Sequence, residues 1–335
     1  MMRALLLIFI LAGGLVGGGA WMEYRDFLST PMVPEQAPSV LLDVEPGTSL
    51  RGLCEELTGL GLLAHPYLFM ATVYLNDKAT RIKAGEYALP PGITPPELLA
   101  LVTSGKVVQR AFTVVEGWTY RQLLAAVARD ARIENLLGDN PSAEAVMTGL
   151  GHPEEHPEGR FLPETYHFSK GAADLDILRR AYEAMEQVLQ EEWGQRDAEL
   201  PLKSPYEALI LASIVEKETG LASERPTIAG VFTRRLNLRM KLQTDPTVIY
   251  GLGERFDGNL TRAHLRGDTP YNTYVHKGLP PTPIALPGRA AIHGVLHPRE
   301  GKDLYFVAKG DGSHYFSSTL AEHNRAVRRY QLGRR

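Results

Sequence analysis

Cysteine is nearly missing from this chain of 335 residues: Cys54 is its only one. That excludes an intrachain disulfide, a lipoprotein-type N-terminal cysteine and any multi-cysteine zinc site. An excess of one charge is lacking too, since 36 Lys and Arg stand against 39 Asp and Glu for a net −3. No basic field is available to wrap a phosphate backbone, so no nucleic-acid partner is expected. The chain has no G-x-S-x-G elbow, no phosphate-cradling loop, no dinucleotide fingerprint and no H-E-x-x-H. His293 and His297 are four residues apart, but Pro298 follows the second and no zinc motif surrounds them, so neither a metal nor a cofactor is expected. With 44% hydrophobic and 22% charged residues, the composition is that of a globular protein of two or so domains.

One segment departs from that average. Residues 4–22 are uncharged and mostly apolar, with Arg3 before them and Glu23, Arg25 and Asp26 after. This is about the length needed to cross a bilayer once, and the positive flank places the N-terminus in the cytoplasm with everything downstream outside. The short apolar run and the small residues Gly18-Gly19-Ala20 also fit a cleaved signal peptide. Trp21 and Tyr24, which have the character of interfacial residues, and the lack of an A-x-A site before them favour a retained transmembrane anchor over 1–22. Both readings export the protein.

Residues 23–38 are polar and carry Pro31, Pro34 and Pro38, which reads as an extended linker with a domain boundary near 39. One pattern then recurs three times: Gly47-x-Ser49-x-x-x-Leu53, Gly92-x-Thr94-x-x-x-Leu98 and Gly117-x-Thr119-x-x-x-Leu123. A glycine turn, a Ser or Thr suited to N-capping and an amphipathic helix follow a short β-prone segment each time. The first two units form a small βααβ module over 39–108, similar to the LysM-like domains that bind glycan. Tyr67, Tyr74 and Tyr87 are available there as stacking surfaces, with core packing preferred for each. The third unit opens a larger domain, 109–335. The fold class expected is α+β, with the topology of the larger domain open.

The larger domain carries helix-like segments at 174–192, 206–220 and 223–238, loop-rich stretches at 243–251, 271–274 and 278–284, a hairpin at 304–317 and a terminal helix at 319–331. In the 206–220 segment a carboxylate sits where the apolar stripe should continue. At about 100° per residue Leu211, Ile214, Val215 and Glu218 share one face, whereas Glu216 and Lys217 point away. Partial burial, and the negative end of a helix dipole capped by Gly220, both favour a protonated Glu218 near neutral pH. Such an acid can protonate a leaving oxygen. A solvated position in a fraying last turn is the alternative. Glu164 is a rival acid, although Pro163 precedes it and no apolar stripe can be read around it. A proton-transfer carboxylate beside polar, aromatic loops describes a glycan-cleaving site.

At these residues the chain resembles the endolytic murein transglycosylases, the MltG or YceG-like family. The matching runs are Val115-Glu116-Gly117, Glu158-Gly159-Arg160-Phe161-Leu162-Pro163-Glu164-Thr165-Tyr166, Ala212-Ser213-Ile214-Val215-Glu216-Lys217-Glu218-Thr219 and Leu242-Gln243-Thr244-Asp245-Pro246-Thr247-Val248-Ile249-Tyr250-Gly251. Tyr271-Asn272-Thr273-Tyr274, Gly278-Leu279-Pro280-Pro281 and Leu304-Tyr305-Phe306-Val307-Ala308 complete the set. The resemblance implies a single-pass inner-membrane enzyme with an extracytoplasmic catalytic domain. It would cleave the β-1,4 bond between N-acetylmuramic acid and N-acetylglucosamine without water, leaving a 1,6-anhydro end. The family's catalytic glutamate, the second of the Glu-Lys-Glu-Thr run, falls on Glu218. Peptidoglycan strands are the implied partner, and peptidoglycan synthases a further one. Candidate groups to support the charged intermediate are Asp245, Gln243 and Asn272, and Tyr271, Tyr274 and Tyr166 are candidates to stack on sugar, with Glu164 nearby. Asp245, Gln243 and Asn272 equally suit turn and loop roles. Glu216 is expected to face solvent or pair with a basic residue, and Arg234 and Arg235 to meet stem-peptide carboxylates or water. A water-using muramidase and an anchored glycan-binding adaptor are the competing functions.

Overall fold

The computed structural model describes residues 2–138 and 140–333, the side chains of residues 2–13 excepted. Two compact units divide it, one running to Arg110 and taking in Phe168–Lys170, the other comprising Ala111–His167 and the chain from Gly171 onward.

The first unit contains α1 (Met2–Ser29), β1 (Val40–Val44), α2 (Leu50–Gly59), α3 (Pro66–Leu75), β2 (Gly85–Leu89) and α4 (Pro95–Ser104). Strands β1 and β2 pair antiparallel, Val40 opposite Leu89 and Val44 opposite Gly85. Ser49 starts α2 by accepting a hydrogen bond from the Gly52 amide, and Thr94 and Glu97 form a capping box at α4. Only glycine fits at 85, where φ is +140° and a Cβ would lie 2.3 Å from Val107 Cγ1. Leu42, Leu53, Leu57, Phe69, Tyr87 and Leu98 fill the core. Of the three tyrosines, Tyr87 alone is buried, and its hydroxyl donates to the carbonyl oxygens of Lys83 (2.7 Å) and Val102 (3.2 Å). Tyr67 and Tyr74 are 80% and 67% exposed. They are seven residues apart on α3, on the side opposite Phe69, Thr72 and Val73, which face the core.

Residues 23–38 do not run as a free spacer. Helix α1 continues to Ser29, Phe27, Met32 and Val33 join the core, and the amides of Met32 and Gly92 bond Ile93 and Val33 carbonyls at 2.7 and 2.8 Å. Apolar residues between the prolines draw the segment in. Among the described residues no helix is long and apolar enough to cross a membrane. The anchor expected over 1–22 falls largely on residues 1–13, whose side chains lie outside the described set.

The second unit follows with β3 (Arg110–Thr113), α5 (Tyr120–Arg129), α6 (Ala143–Leu150), β4 (Thr165–Phe168), α7 (Asp174–Gly194), α8 (Pro205–Glu218) and α9 (Arg225–Asn237). Then come α10 (Asp245–Leu252), α11 (Arg262–Arg266), α12 (Arg289–Leu296), β5 (Tyr305–Ala308), β6 (His314–Ser317) and α13 (Leu320–Val327). Helix α8 is the core of this unit: every residue from Ala208 to Val215 is buried, as befits a helix apolar on all sides. Helices α7, α9, α10 and α12 pack around it. Strands β5 and β6 form the expected hairpin, Ala308 opposite His314. Helices with small two-stranded sheets make the chain α+β.

Two segments differ from their sequence pattern. The 243–251 stretch reads as loop, yet Asp245 and Pro246 open α10, because proline needs no amide partner in a first turn and aspartate complements the dipole there. The terminal helix stops at Val327 and widens into a single π turn, Arg328–Leu332.

Candidate active site

Helix α8 begins at a Ser204 cap with Pro205 in its first turn and ends on Glu218, where Thr219 turns extended at φ −145° and ψ 134°. The cap is therefore Thr219 rather than Gly220. Three charged residues finish the helix, and each finds a different environment. Lys217 is exposed and donates to the Gly117 carbonyl at 3.2 Å.

Glu216, expected to face solvent or to pair with a basic residue, does the second, and its side chain is 4% exposed. The N-terminal ends of α9 and α12 close over it: Arg225 pairs with it at 2.7 Å and the Gly288 amide donates at 3.0 Å. Arg225 also pairs with Glu116 at 2.8 Å. Burial pushes the Glu216 carboxyl upward, against the Gly288 hydrogen bond and the Arg225 charge. A Cβ at 288 would lie 2.1 Å from Glu116 Oε1, so a side chain here would have to displace the Glu116 carboxylate.

Glu218 is half-buried and accepts a hydrogen bond on Oε1 from the Thr244 hydroxyl. Its carboxyl is pushed up to about 7, first by burial and further by the Asp245 charge. The Thr244 hydrogen bond, His314 and Arg235 pull the other way without cancelling the rise. Glu218 is thus a carboxylic acid still partly protonated at neutral pH.

It lines a cleft of about 560 Å³ together with Gln243, Asp245, Tyr274, Arg235 and His314. Tyr274 donates to Asp245 Oδ1 at 2.6 Å. Two segments form this wall: the Thr244 amide bonds Thr273 Oγ1 at 3.0 Å, the Gln243 amide bonds the Thr273 carbonyl at 3.2 Å, and Lys241 reaches the Tyr274 carbonyl at 2.9 Å. Gln243 takes a left-handed φ of +50°, a conformation in which a non-glycine residue stores strain.

Four other residues singled out in the sequence lie elsewhere. Asn272 is 1% exposed and braces the wall from behind: Nδ2 donates to the carbonyls of His264 (3.2 Å), Leu265 (3.2 Å) and Gly267 (2.7 Å), and Oδ1 accepts from the Tyr274 amide at 2.9 Å. Tyr271 packs against Tyr250 with ring centroids 4.9 Å apart and shares a 2.9 Å hydrogen bond with Thr282. Tyr166 is buried in β4, its hydroxyl on the Leu162 carbonyl at 2.7 Å. Glu164 is exposed on a separate cleft of about 790 Å³ with Glu116, Glu192 and His293.

Arg234 and Arg235 both donate to backbone carbonyls, and Arg235 also lines the Glu218 cleft. Arg235 Nε donates to Leu304 O at 2.6 Å and Nη1 to Leu242 O at 2.7 Å, while Arg234 Nε donates to Asp303 O at 2.8 Å. Thr244 and His314 were not legible as site residues. Thr244 sits between two singled-out neighbours with nothing in its type to mark it, and His314 lies in a hairpin whose sequence reads as scaffold. The His293 and His297 rings do meet, 4.5 Å apart, and with Glu192 form a group whose ligand atoms lie within 4.8 Å of one another. Arg289 holds the other oxygen of Glu192 at 3.0 Å. None of these residues lines the Glu218 cleft.

The YceG-like family profile matches residues 42–329. An endolytic murein transglycosylase of Bacillus subtilis (strain 168) is 30% identical over 94% of this chain and 91% of its own length. One of Streptococcus pneumoniae serotype 2 is 26% identical over 97% of this chain and 65% of its own length. The crystal structure of a YceG-like protein from Listeria monocytogenes superposes with a TM-score of 0.54 at 29% identity, covering 86% of this chain and 99% of that one. With the profile spanning every residue of the Glu218 cleft but Gln331, the chain belongs to the YceG-like family.

Proposed function

We propose that this protein is a peptidoglycan lytic transglycosylase that cuts within glycan strands, with Glu218 as its acid. The observation that carries the reading is the Glu218 carboxyl group, raised to about 7, on the wall of an open polar cleft that also holds Asp245. A water-using glycosidase needs two carboxyl groups, one as acid and one as base or nucleophile. When the muramoyl sugar's own 6-hydroxyl replaces water, one carboxyl group suffices. Glu218 gives its proton to the bridging oxygen as the bond from C1 breaks. The 6-hydroxyl oxygen then closes on C1, and its proton restores Glu218. Asp245, held by Tyr274, supplies negative charge to the oxocarbenium-like state between these steps.

The same reading places the substrate bond between N-acetylmuramic acid and N-acetylglucosamine in nascent strands, with 1,6-anhydro ends as product and a role in cell-wall assembly and strand termination. It makes residues 1–22 a single membrane anchor, the catalytic unit extracytoplasmic at the inner membrane, and peptidoglycan synthases its neighbours there. Residues 39–108 act as the LysM-like glycan-holding module, for which exposed Tyr67 and Tyr74 supply stacking surface.

Digestion of uncrosslinked glycan strands, with mass analysis of the new ends, tests the proposal. The parent protein should give ends lighter by one water than hydrolysed reducing ends, and Glu218→Gln should bind strands without cutting them. Hydrolysed ends would instead indicate a muramidase using Asp245 as second carboxylate. No cleavage by the parent would indicate an adaptor.

A further inference from the structure

We propose that the second proton transfer of this reaction runs through His314, held in place by Glu224; the step rests on the transglycosylase reading above. His314 opens β6 and lines the cleft that Glu218 lines. Glu224, at the end of the 3-10 turn before α9, accepts from the His314 amide at 2.9 Å and from His314 Nδ1 at 2.7 Å. Two bonds to one carboxylate fix both the orientation and the tautomer of the ring. In the neutral ring this leaves the hydrogen on Nδ1 and the lone pair on Nε2. Phe306 meets the ring edge-on with centroids 5.4 Å apart, which further limits its rotation.

Both partners are largely enclosed, the His314 and Glu224 side chains being 11% and 15% exposed. Among the described residues no protein group bonds Nε2. A carboxylate alone would suffice to pin a hairpin by its backbone. A buried carboxylate that also aligns an imidazole along a catalytic cleft has the construction of a general base, in which the acid stabilises the imidazolium as it forms.

The proton balance is complete. Glu218 gives its proton to the bridging oxygen, the bond from C1 to that oxygen breaks, and its electron pair leaves with the oxygen. The muramoyl O6 donates a lone pair to C1, the O6–H bond breaks with its electrons kept on O6, and the proton goes to His314 Nε2. Glu224 stabilises the resulting imidazolium. Nε2 then returns the proton to the Glu218 carboxylate, and both side chains regain their starting forms.

The test uses the full chain on uncrosslinked strands and reads kcat, KM and the chemistry of the new ends for His314→Gln, His314→Ala and Glu224→Gln. Loss of a general base should lower kcat of both His314 variants about 10²-fold or more, with KM within about threefold of the parent. Added imidazole should restore part of the His314→Ala rate. Glu224→Gln should lose about tenfold in kcat because the ring loses its orienting partner. A kcat within about threefold of the parent, a loss confined to KM, or no response to imidazole would overturn the relay. Should the His314 variants fail to fold, Glu224→Gln decides, since it leaves the imidazole in place, and an unchanged kcat overturns the proposal. Cleavage by Glu218→Gln would instead defeat the transglycosylase reading itself.

Discussion

The hydroxyl of Thr244 donates to the carboxyl oxygen of Glu218 across 26 residues of sequence, joining the last turn of α8 to the entry of α10. This bond stabilises the ionised form and so opposes the burial that raises the Glu218 pKa. Thr244→Val should therefore raise that pKa further. The descending limb of the pH–rate profile should move up by roughly one unit, and Thr244→Ser should leave it in place. An unmoved limb in the valine variant would contradict the coupling.

Stability should carry the same signature. A folded-state carboxyl pKa of about 7, above the ordinary 4.5, means that the native state binds the proton more tightly than the unfolded chain. The stabilisation is complete below 4.5 and is lost as pH rises through 7. Glu218→Gln removes this loss and should be more stable than the parent by roughly 1–3 kcal/mol at pH 8 but not at pH 4. Denaturant melts at the two pH values check this. Glu158, buried and also raised to about 7, keeps a residual pH dependence in the variant.

Arg225 is the partner of buried Glu216, two residues from Glu218, the proposed acid. Arg225→Met leaves that carboxylate enclosed without its cation and should lower stability by roughly 3–5 kcal/mol. Because Glu216 also anchors the Gly288 amide, Gly288→Ala should disturb the same junction through the contact its Cβ makes with Glu116. Thermal melts of both variants should fall together, while Lys217→Ala, at an exposed position, should change little.

Asn272 separates bracing from binding. Its side chain makes four hydrogen bonds to backbone groups behind the cleft wall and contributes nothing to the lining. Asn272→Ala should lower stability by about 2 kcal/mol, with KM for glycan strands near that of the parent at temperatures where the variant is folded. A rise in KM without loss of stability would make it a substrate contact.

The elements were most legible where local chemistry repeats. Ser49, Thr94 and Thr119 cap the helices that their glycine–hydroxyl–leucine pattern announces, and the β5–β6 hairpin follows its glycine turn. Glu218 was legible because a charge interrupts an apolar face. Asparagine and tyrosine in a loop suit sugar binding, which points Asn272 and Tyr271 at the cleft, but neither lines it. Their partners are the carbonyls of His264, Leu265 and Gly267 and the hydroxyl of Thr282, contacts set by how the loop folds and not by residue type. For Glu216 helical phase assigns a side but not what packs on it: a basic partner was one of two expectations, and here α9 and α12 cover that side and supply Arg225. The Glu224–His314 pair spans 90 residues and became visible only with the fold.

The central claim is that Glu218 holds its proton near neutral pH until a glycosidic oxygen takes it. Carboxyl-carbon NMR titration of the folded protein, with the Glu218 resonance assigned by its loss in Glu218→Gln, measures this directly. A midpoint near 7 is expected, and a midpoint at or below 4.5 would contradict the account.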